Sequence, residues 1–498
     1  MAAKTISEIN ERIRDGSALI LTAEEMTEYV REHGTGKAAQ EVDVVTTGTF
    51  GAMCSSGAFL NFGHSDPPIR MQRVYLNDVE AYPGIAAVDA YIGATQPSRS
   101  DESYGGGHVI EDLIAGKSID VHAESSGTDC YPRKMLDTTI TIDDLNQTVM
   151  VNPRNAYQRY AAATNSTRRV LYTYMGTLLP RFGNVAYSGS GVLSPISNDP
   201  EFRTIGTGTR IFLGGAKGYV IGSGTQHDPD NRFGTLMTCG NLKDMDTRYV
   251  RGAVLHRYGI SMYVGVGVPI PILGEDIAAA AGISDAEIRT SVYDYGIPRR
   301  SRPVLRDVTY EELKSGIIDL DGREVRTSPL SSFNIARMVA GELKRWIIDG
   351  EFFVSSPAEQ IRSRGTTKPM REIHEQPLVR DVMSERVHTI RTDVDIKHIA
   401  ELLIEGNFNH LPVVSEGGAL IGIVTSWDIS KAVAHGETGD VRSSMTTNVI
   451  TSTPDEPVEI AARKMERHKI SALPVIDDDR RVIGMVTSGD LSKLLMRR

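Results

Sequence analysis

The sequence predicts an α/β protein in which a glycine-rich α/β domain precedes two small modules of the β-α-β-β-α type. Residues 377–498 contain the same module twice. Between about residues 42 and 275 glycine is dense and runs of β-forming residues are short, which is typical of a sheet-rich core with many tight turns. Helical periodicity flanks this region on both sides. Together these observations predict one large domain followed by a tandem pair.

The first 35 residues predict two helices. Ile9 and Ile13 fall on one face of the first helix. Thr22 and Glu25 have the spacing of a capping box at the start of the second, and Gly34 is placed to end it.

Strands and further helices are predicted up to about residue 360. The strand-forming runs are Val42–Thr47, Arg210–Leu213, Tyr219–Ile221 and Ile260–Val268. Helices are expected to begin at Ser284, Thr309 and Ser332, the first two with a Glu three residues later. The polar segment 361–376 lacks periodicity and predicts a linker, so that residues 1–360 form the large domain.

The two C-terminal modules align without a gap at a shift of 62 residues. The aligned segments are Val379–Met383 with Val441–Met445, Leu411–Val413 with Leu473–Val475, and Ile421–Asp428 with Ile483–Asp490. An internal repeat of this quality indicates a duplicated structural unit. The modules are predicted to span residues 377–436 and 437–498.

Each module resembles a CBS domain, and the two copies resemble a Bateman pair. In that family the Thr and Asp of a Thr-x-x-Asp step contact the ribose and phosphate of an adenosine ligand, and the matching residues here are Thr425, Asp428, Thr487 and Asp490. The resemblance implies AMP, ATP or S-adenosylmethionine as ligand, and a homo-oligomer formed through the pair. The same step is also an ordinary helix N-cap, and both interpretations stay open.

Composition excludes several classes of protein. The 498 residues carry a formal net charge of −10 without a long basic patch, which argues against nucleic-acid binding. The N-terminus has no apolar signal region. The most apolar long stretch, Tyr263–Gly282, contains prolines and acidic residues and cannot span a membrane. We expect a cytoplasmic protein that binds neither nucleic acid nor membranes.

The chain has three cysteines, Cys54, Cys130 and Cys239. An odd, sparse count does not suggest a disulfide scaffold, and no spacing suggests a zinc site. Three thiolates cannot by themselves complete an all-cysteine iron–sulfur site. We therefore expect no metal and no intrinsic cofactor, so the electrons for any reduction must come from a partner.

Two of these cysteines occupy unusual settings. Cys54 and Cys130 lie among Gly, Ser and Thr in turn-like sequence, where backbone N–H groups can stabilise a thiolate. Arg133 beside Cys130 favours its thiolate, whereas Asp129 opposes it. Cys239 follows an apolar pair and fits a packed core thiol equally well. For each cysteine the alternative is a small buried hydrophobe.

The upstream region resembles the homocysteine-biosynthesis family of methanogens and other anaerobes. The resemblance is carried by residues 46–57, 104–108, 125–133, 187–191, 206–216, 222–227 and 267–273. It implies an L-aspartate semialdehyde sulfurtransferase that makes L-homocysteine on the route to methionine, and thus a role in amino-acid biosynthesis. It also implies a cysteine persulfide at Cys130, with Cys54 as a second functional thiol, and a ferredoxin-like iron–sulfur protein as reductant.

The chemistry of this conversion is consistent with the residues. An aldehyde that gains hydrogen sulfide and loses water becomes a thioaldehyde, which needs two electrons and two protons to become a thiol. Our sequence hypothesis makes Cys130 the sulfur carrier and Cys54 the resolving thiol. The candidates for binding the substrate carboxylate are Arg70, Arg133, Arg154 and Arg210. The candidates for protonating the departing hydroxyl are His64, His108, His122 and His227, although each is more readily explained as a structural residue.

Two other functions compete with this interpretation. Enzymes like inosine-monophosphate dehydrogenase combine a loop cysteine with a CBS pair, but they carry the pair inside a barrel whose eightfold strand–helix alternation is missing here. A non-catalytic adaptor that senses an adenosyl ligand would need no reactive cysteine. Rapid thiol labelling at neutral pH would distinguish an enzyme from such an adaptor.

Overall fold

The computed structural model describes residues 4–298, 302–370, 377–436 and 439–496. It forms two compact units, Met1–Lys368 and Pro369–Arg498. The helices of the first unit are α1 Ile6–Arg14, α2 Ala23–His33, α3 Thr35–Glu41, α4 Gly106–Ile114, α5 Pro195–Asn198, α6 Glu275–Ala281, α7 Tyr310–Lys314 and α8 Phe333–Ile348. Its strands are β1 Ile20–Thr22, β2 Val44–Thr46, β3 Thr49–Ala52, β4 Gly57–Asn61, β5 Arg73–Leu76, β6 Val79–Ala81, β7 Asp89–Gly93, β8 Ile119–Glu124, β9 Met135–Ile140, β10 Thr148–Asn155, β11 Ala162–Thr164, β12 Leu171–Thr173, β13 Gly176–Leu178, β14 Val185–Tyr187, β15 Gly206–Thr207, β16 Arg210–Leu213, β17 Ala216–Ser223, β18 Leu236–Asn241, β19 Val250–Leu255, β20 Gly259–Gly267, β21 Pro269–Pro271, β22 Arg289–Asp294, β23 Val304–Thr309, β24 Ile317–Leu320, β25 Arg323–Pro329 and β26 Glu359–Gln360.

The largest sheet of this unit has nine strands. Eight follow the order β19-β20-β16-β17-β18-β10-β4-β7, and β3 also pairs with β20. A six-stranded sheet has the order β23-β22-β11-β14-β25-β24, and a four-stranded sheet has the order β6-β5-β8-β9. A three-stranded sheet, β1-β2-β21, joins the N-terminal segment to the core. The predicted α/β class is confirmed.

Local sequence signals explain the N-terminal helices. The amide of Glu25 donates to the hydroxyl of Thr22 at 3.3 Å, and the amide of Thr22 donates to the Glu25 carboxylate at 2.6 Å, which completes the predicted capping box of α2. Gly34, with a φ of 79°, ends that helix as predicted. Ile9 and Ile13 of α1 are buried against α8 and its neighbours.

One predicted helix is wrong. Ser284 and Glu287 make the hydrogen bonds of a helix start, with the Ser284 amide donating to the Glu287 carboxylate at 2.9 Å. The chain then turns into β22, because residues Arg289–Asp294 pair with strands on both sides in the six-stranded sheet. The helices predicted from Thr309 and Ser332 are confirmed as α7 and α8.

A run of three glycines lets helix α4 approach the large sheet closely. A Cβ atom on Gly106 would lie 1.9 Å from the carbonyl oxygen of Gly93, and one on Gly107 would lie 2.5 Å from that of Ser261. No side chain fits in either space. The tip of α4 is therefore packed directly on the backbone of β20 and on the end of β7.

The first part of the predicted linker packs on the first unit. Strand β26 pairs with β15, and the side chain of Ile361 is buried. The hydroxyl of Thr367 donates to the Asp228 carboxylate at 3.1 Å. The rest of the predicted linker, residues 371–376, lies outside the described residues.

The second unit contains two similar modules. Its helices are α9 Ile396–Glu405, α10 Ser426–Ala434, α11 Val458–His468 and α12 Ser488–Met496, and its strands are β27 His410–Val414, β28 Leu420–Thr425, β29 Ala472–Ile476 and β30 Val482–Thr487. Each module is an antiparallel hairpin with one helix before it and one after it. A short extended segment adds a parallel bridge to each hairpin, Ile390 to Val413 and Ser452 to Val475.

The two modules exchange the segments that precede them. Val379, which begins the first repeat, is buried in the core of the second module, and Val441, its counterpart, is buried in the core of the first. The repeated methionines cross in the same way, because the sulfur of Met383 lies over Gly484 and that of Met445 lies over Gly422. The exchange explains why the repeat matches Met and Gly at these positions.

No helix within the described ranges is both long and apolar enough to cross a membrane.

The glycine run provides a test of the packing. We expect Gly106→Ala to lower the free energy of unfolding by about 1–3 kcal/mol, because its methyl group would overlap the Gly93 carbonyl. Gly341→Ala is the matched control within helix α8, where a Cβ would meet nothing within 4 Å. It should be neutral or stabilising by up to about 1 kcal/mol. Equal stability of the two variants in urea denaturation would contradict the close packing of α4.

Candidate active site

Cys54 lies in the turn between strands β3 and β4. The amide of Met53 donates to the carbonyl of Met262 at 2.7 Å, and the amide of Ser56 donates to the carbonyl of Met53 at 3.0 Å. These bonds hold the turn against β20. The Cys54 Sγ lies 3.0 Å from the hydroxyl oxygen of Ser261, which is fully buried on β20.

The Cys54 thiol lines a cavity of about 460 Å³ in the first unit. We call this space the Cys54 cavity. Its lining residues are Ala52, Cys54, Ser55, Arg154, Tyr157, Tyr160, Tyr174, Met175, Ser188, Gln226, Tyr258 and Leu330. They combine one thiol, one guanidinium and four phenols, and none of them is acidic. The buried hydroxyl of Ser55 has no hydrogen-bond partner among the described residues.

The tyrosines form a wall of neutral hydroxyl donors. The rings of Tyr157 and Tyr160 lie 4.6 Å apart, and those of Tyr174 and Tyr258 lie 6.2 Å apart. Burial raises the pKa of Tyr157 to about 12 and also raises the pKa of Tyr160 and of Tyr258. These three phenols therefore keep their protons at neutral pH and can donate a hydrogen bond to a substrate oxygen.

Arg154 is the one predicted carboxylate ligand that lines the Cys54 cavity. Arg70 lines a separate cavity of about 820 Å³. Arg133 donates to the carbonyl of Pro67 at 3.0 Å, and the guanidinium of Arg210 lies 5.9 Å from the ring centre of Phe352.

The four predicted histidines have structural surroundings instead. His64 stacks on Tyr131 with ring centres 5.9 Å apart, and His108 stacks on Tyr104 at 5.4 Å. Hydrogen bonds to the Asp137 and Glu124 carboxylates raise the pKa of His122. The ring nitrogens of His227 lie within hydrogen-bond distance of the backbone oxygens of Thr235 and Arg362. None of the four lines the Cys54 cavity, where the candidate proton donors are instead the tyrosines, which the sequence analysis did not name. Their signal was the cluster of four tyrosines at 157, 160, 172 and 174.

Cys130 lies apart from these residues, on the exposed loop between strands β8 and β9. The loop contains a tight turn in which Thr128 and Tyr131 exchange backbone hydrogen bonds of 2.9 and 3.1 Å. Cys130 is not among the residues that line the Cys54 cavity, and both thiols are free.

Cys239 has a third kind of environment. It lies on β18 opposite Tyr219 of β17 and Val151 of β10, in the middle of the nine-stranded sheet. Partial burial raises the pKa of its thiol. This setting fits a structural residue.

Two of the four predicted CBS residues, Thr425 and Thr487, line cavities of about 390 Å³ each in the second unit, whereas Asp428 and Asp490 are not among the lining residues. Thr425 and Trp427 line the first, and Thr487 and Arg386 line the second. The two cavities share the segment around His410. The ring of His410 forms a hydrogen bond of 3.1 Å with the hydroxyl of Ser471.

Each threonine of these cavities also caps a helix. The Thr425 hydroxyl donates to Asp428 at 2.6 Å, and the Thr487 hydroxyl donates to Asp490 at 2.7 Å. The aspartate amides donate back to the threonine hydroxyls at 3.2 Å. The N-cap interpretation is therefore confirmed, while the exposure of both threonines to a cavity keeps the ligand prediction testable.

No group of three or more metal-binding side chains is found within the residues that the structure describes.

Comparison with known proteins now identifies the family. A model of the homocysteine biosynthesis enzyme family, described as sulfur-incorporating, matches residues 18–354, and a CBS domain model matches residues 379–435 and 439–497. The chain belongs to this sulfur-incorporating family. The match confirms the predicted resemblance and the enzyme class: the chain is a sulfurtransferase of homocysteine biosynthesis, and neither the dehydrogenase-like nor the adaptor alternative stands.

Individual relatives are similar over their whole length. An L-aspartate semialdehyde sulfurtransferase of Methanosarcina acetivorans is 56% identical over 499 residues, with 100% of both chains covered. One of Methanocaldococcus jannaschii is 54% identical, with 99% of both chains covered. A solved CBS domain pair in complex with 5′-methylthioadenosine and S-adenosyl-L-methionine is 46% identical to the second unit. That comparison covers 25% of this chain and 98% of the solved one, at a TM-score of 0.24.

The three thiols should differ in reactivity. Cys130 should be alkylated fastest at neutral pH because it is exposed. Cys239 should react slowly at neutral pH, because its raised pKa leaves little thiolate there. Its alkylation rate should continue to rise at pH values above the ordinary pKa of a thiol. Variants that keep one cysteine each, followed by mass spectrometry from about pH 7 to pH 10, measure this order. A Cys239 rate equal to that of Cys130 at pH 7 would contradict the described burial.

Proposed function

We propose that the chain converts L-aspartate semialdehyde to L-homocysteine in the Cys54 cavity. One observation carries the proposal: a free thiol and a guanidinium without a carboxylate partner among the described residues line the same cavity. The names of the two full-length relatives support this choice of substrate. The surrounding phenols supply protons for the oxygen that leaves the aldehyde.

We assign the step that delivers sulfur to Cys54. A persulfide on Cys54 would add its outer sulfur to the aldehyde carbon, and the carbonyl oxygen would take a proton. A second thiol would then attack the Cys54 Sγ, which releases the sulfur on the substrate carbon and leaves a disulfide. The exposed Cys130 suits both the loading of sulfur from a donor and this second attack. The assignment exchanges the roles that the sequence hypothesis gave to the two thiols, because Cys54 lines the cavity and Cys130 does not.

The electron balance requires an external reductant. The released thiohemiacetal loses water to form a thioaldehyde, which takes up two electrons and two protons to become the thiol. When the sulfur comes from a persulfide, reduction of the disulfide needs two electrons more. A ferredoxin-like iron–sulfur partner is our proposal for their source.

The proposal predicts how three cysteine variants behave. Purified protein, aspartate semialdehyde, a sulfane-sulfur donor such as polysulfide and a low-potential reductant should yield homocysteine. Cys54→Ala should lower the rate at least about 100-fold, as is usual when a nucleophile is removed, and Cys130→Ala should lower it as well. Cys239→Ala is the matched control and should keep its rate. After incubation with polysulfide and before the reductant is added, mass spectrometry should find the added sulfur on Cys54 in the Cys239→Ala protein. Full activity of Cys54→Ala would refute the assignment.

We further propose that the CBS pair binds an adenosine ligand, either AMP, ATP or S-adenosylmethionine. The hydroxyls of Thr425 and Thr487 support this proposal, because each lies beside a carboxylate at the N-terminus of a helix. S-adenosylmethionine is made from the product, so it would act by feedback. A homo-oligomer through the pair stays a prediction.

Calorimetry with each of the three ligands tests the pair. Thr425→Ala and Thr487→Ala together should weaken binding by about tenfold or more, because each loses a hydroxyl that the ligand would contact. The matched controls Thr425→Ser and Thr487→Ser keep the hydroxyl and the helix cap and should bind nearly as the native chain does. The proposal fails if none of the three nucleotides binds or if the double alanine variant binds as tightly as the native chain.

A further inference from the structure

Arg154 is aimed by an irregularity in strand β10. The register between β10 and β18 shifts between Asn152 and Asn155, so that the strand bulges at Arg154. A bulge redirects a side chain relative to the regular alternation of a strand. The amide of Arg154 donates to the Asn152 side chain at 3.3 Å, and the carbonyl of Pro153 accepts from the Thr225 amide at 2.8 Å. The bulge is thus fixed on both sides.

The guanidinium is held by neutral groups only. Its Nε donates to the hydroxyl of Thr225 at 3.2 Å, and its Nη1 donates to the amide oxygen of Gln226 at 2.7 Å. No carboxylate pairs with Arg154 within the part of the chain that the structure describes. A guanidinium has five N–H donors, so further donors stay available for a ligand. Its positive charge is oriented but not neutralised.

The wall facing this cation is aromatic. Tyr157, Tyr160 and Tyr174 pack in sequence, with ring centres 4.6 and 6.5 Å apart. Aromatic faces attract an ammonium group even where no carboxylate is near. Burial raises the pKa of Tyr157 most strongly, Arg154 opposes that rise and Cys54 adds to it, so Tyr157 lies within electrostatic reach of both groups.

From this arrangement we infer that Arg154 and the tyrosine wall recognise the amino-acid end of the substrate, and that the Cys54 cavity selects aldehydes and thiols that carry an α-ammonium and an α-carboxylate. The carboxylate binds the free donors of Arg154, and the ammonium lies on the aromatic faces. This places Arg154 as a binding residue that fixes specificity. The inference rests on the proposed function for the identity of the reacting group at Cys54, but the recognition itself requires no turnover.

Binding of product analogues tests the inference without catalysis. Calorimetry would compare L-homocysteine with 3-aminopropane-1-thiol, which lacks the carboxylate, and with 4-mercaptobutanoate, which lacks the ammonium. In the native chain, loss of the carboxylate should weaken binding by about 10- to 100-fold, the usual range for a hydrogen bond to a charged group. In Arg154→Gln the difference in affinity between L-homocysteine and 3-aminopropane-1-thiol should shrink to less than about threefold, because neither ligand then has a guanidinium to bind.

Further variants separate recognition from general damage. Arg154→Lys keeps the positive charge but loses the forked N–H donors of the guanidinium. It should restore part of the difference in affinity between L-homocysteine and 3-aminopropane-1-thiol. Arg326→Gln removes an exposed arginine on β25 and should bind all three thiols as the native chain does. Arg70→Gln removes the guanidinium of the other cavity and should also leave the difference unchanged. An unaltered affinity of Arg154→Gln for 3-aminopropane-1-thiol would show that its cavity remains intact.

The outcomes are distinct. A carboxylate preference that persists in Arg154→Gln, or that disappears in Arg70→Gln, overturns the assignment. Equal binding of all three thiols by the native chain overturns the inferred specificity. Turnover is measured separately with aspartate semialdehyde, where Arg154→Gln should raise KM far more than it lowers kcat. Absence of homocysteine formation by the native chain would count against the proposed function, whereas the binding comparison would still decide the role of Arg154.

Discussion

The close approach of helix α4 to strand β20 is the constraint on which the geometry of the candidate active site depends. Gly106 and Gly107 allow the helix to rest on backbone atoms, so that Ser261 and Met262 of β20 are fixed from one side. From the other side, Met262 accepts the backbone bond that holds the Cys54 turn, and Ser261 contacts the thiol itself. A side chain at the helix tip would displace the strand and with it the thiol. The glycines therefore help to position the Cys54 thiol, although they do not contact it.

The electrostatic character of the Cys54 cavity follows from what lines it. Neutral phenols and one oriented cation surround the thiol, with no carboxylate among the lining residues. Such surroundings suit negative charge that develops on a substrate oxygen and offer hydrogen-bond donors without adding negative charge of their own. The sequence analysis named four histidines as candidate proton donors while favouring a structural role for each, and their rings stack or form hydrogen bonds outside the Cys54 cavity.

Prediction from sequence succeeded where the signal was local or repeated. The capping boxes at Thr22 and Thr309 fix helix starts through contacts only three residues apart, and the duplicated module was visible by aligning the chain with itself. The helix expected at Ser284 failed because the strand pairing of residues 289–294 outweighs a capping signal. The tyrosine wall was only partly visible in the sequence, because Tyr157, Tyr160 and Tyr174 lie close together along the chain, whereas Tyr258 joins them only through the fold. The choice of Arg154 among four arginines likewise depends on a bulge that has no sequence signature.

The two modules of the second unit are not independent, because each buries a segment that belongs to the other repeat. Val379 follows directly on the connection from the first unit, yet its side chain is buried in the core of the second module. The connection is thus anchored to the module that is farther away along the chain. Neither repeat contains all the residues of its own core, so a cut between them would leave two incomplete pieces. A substitution or ligand that alters the core of the second module would therefore also act on the segment that begins the first repeat.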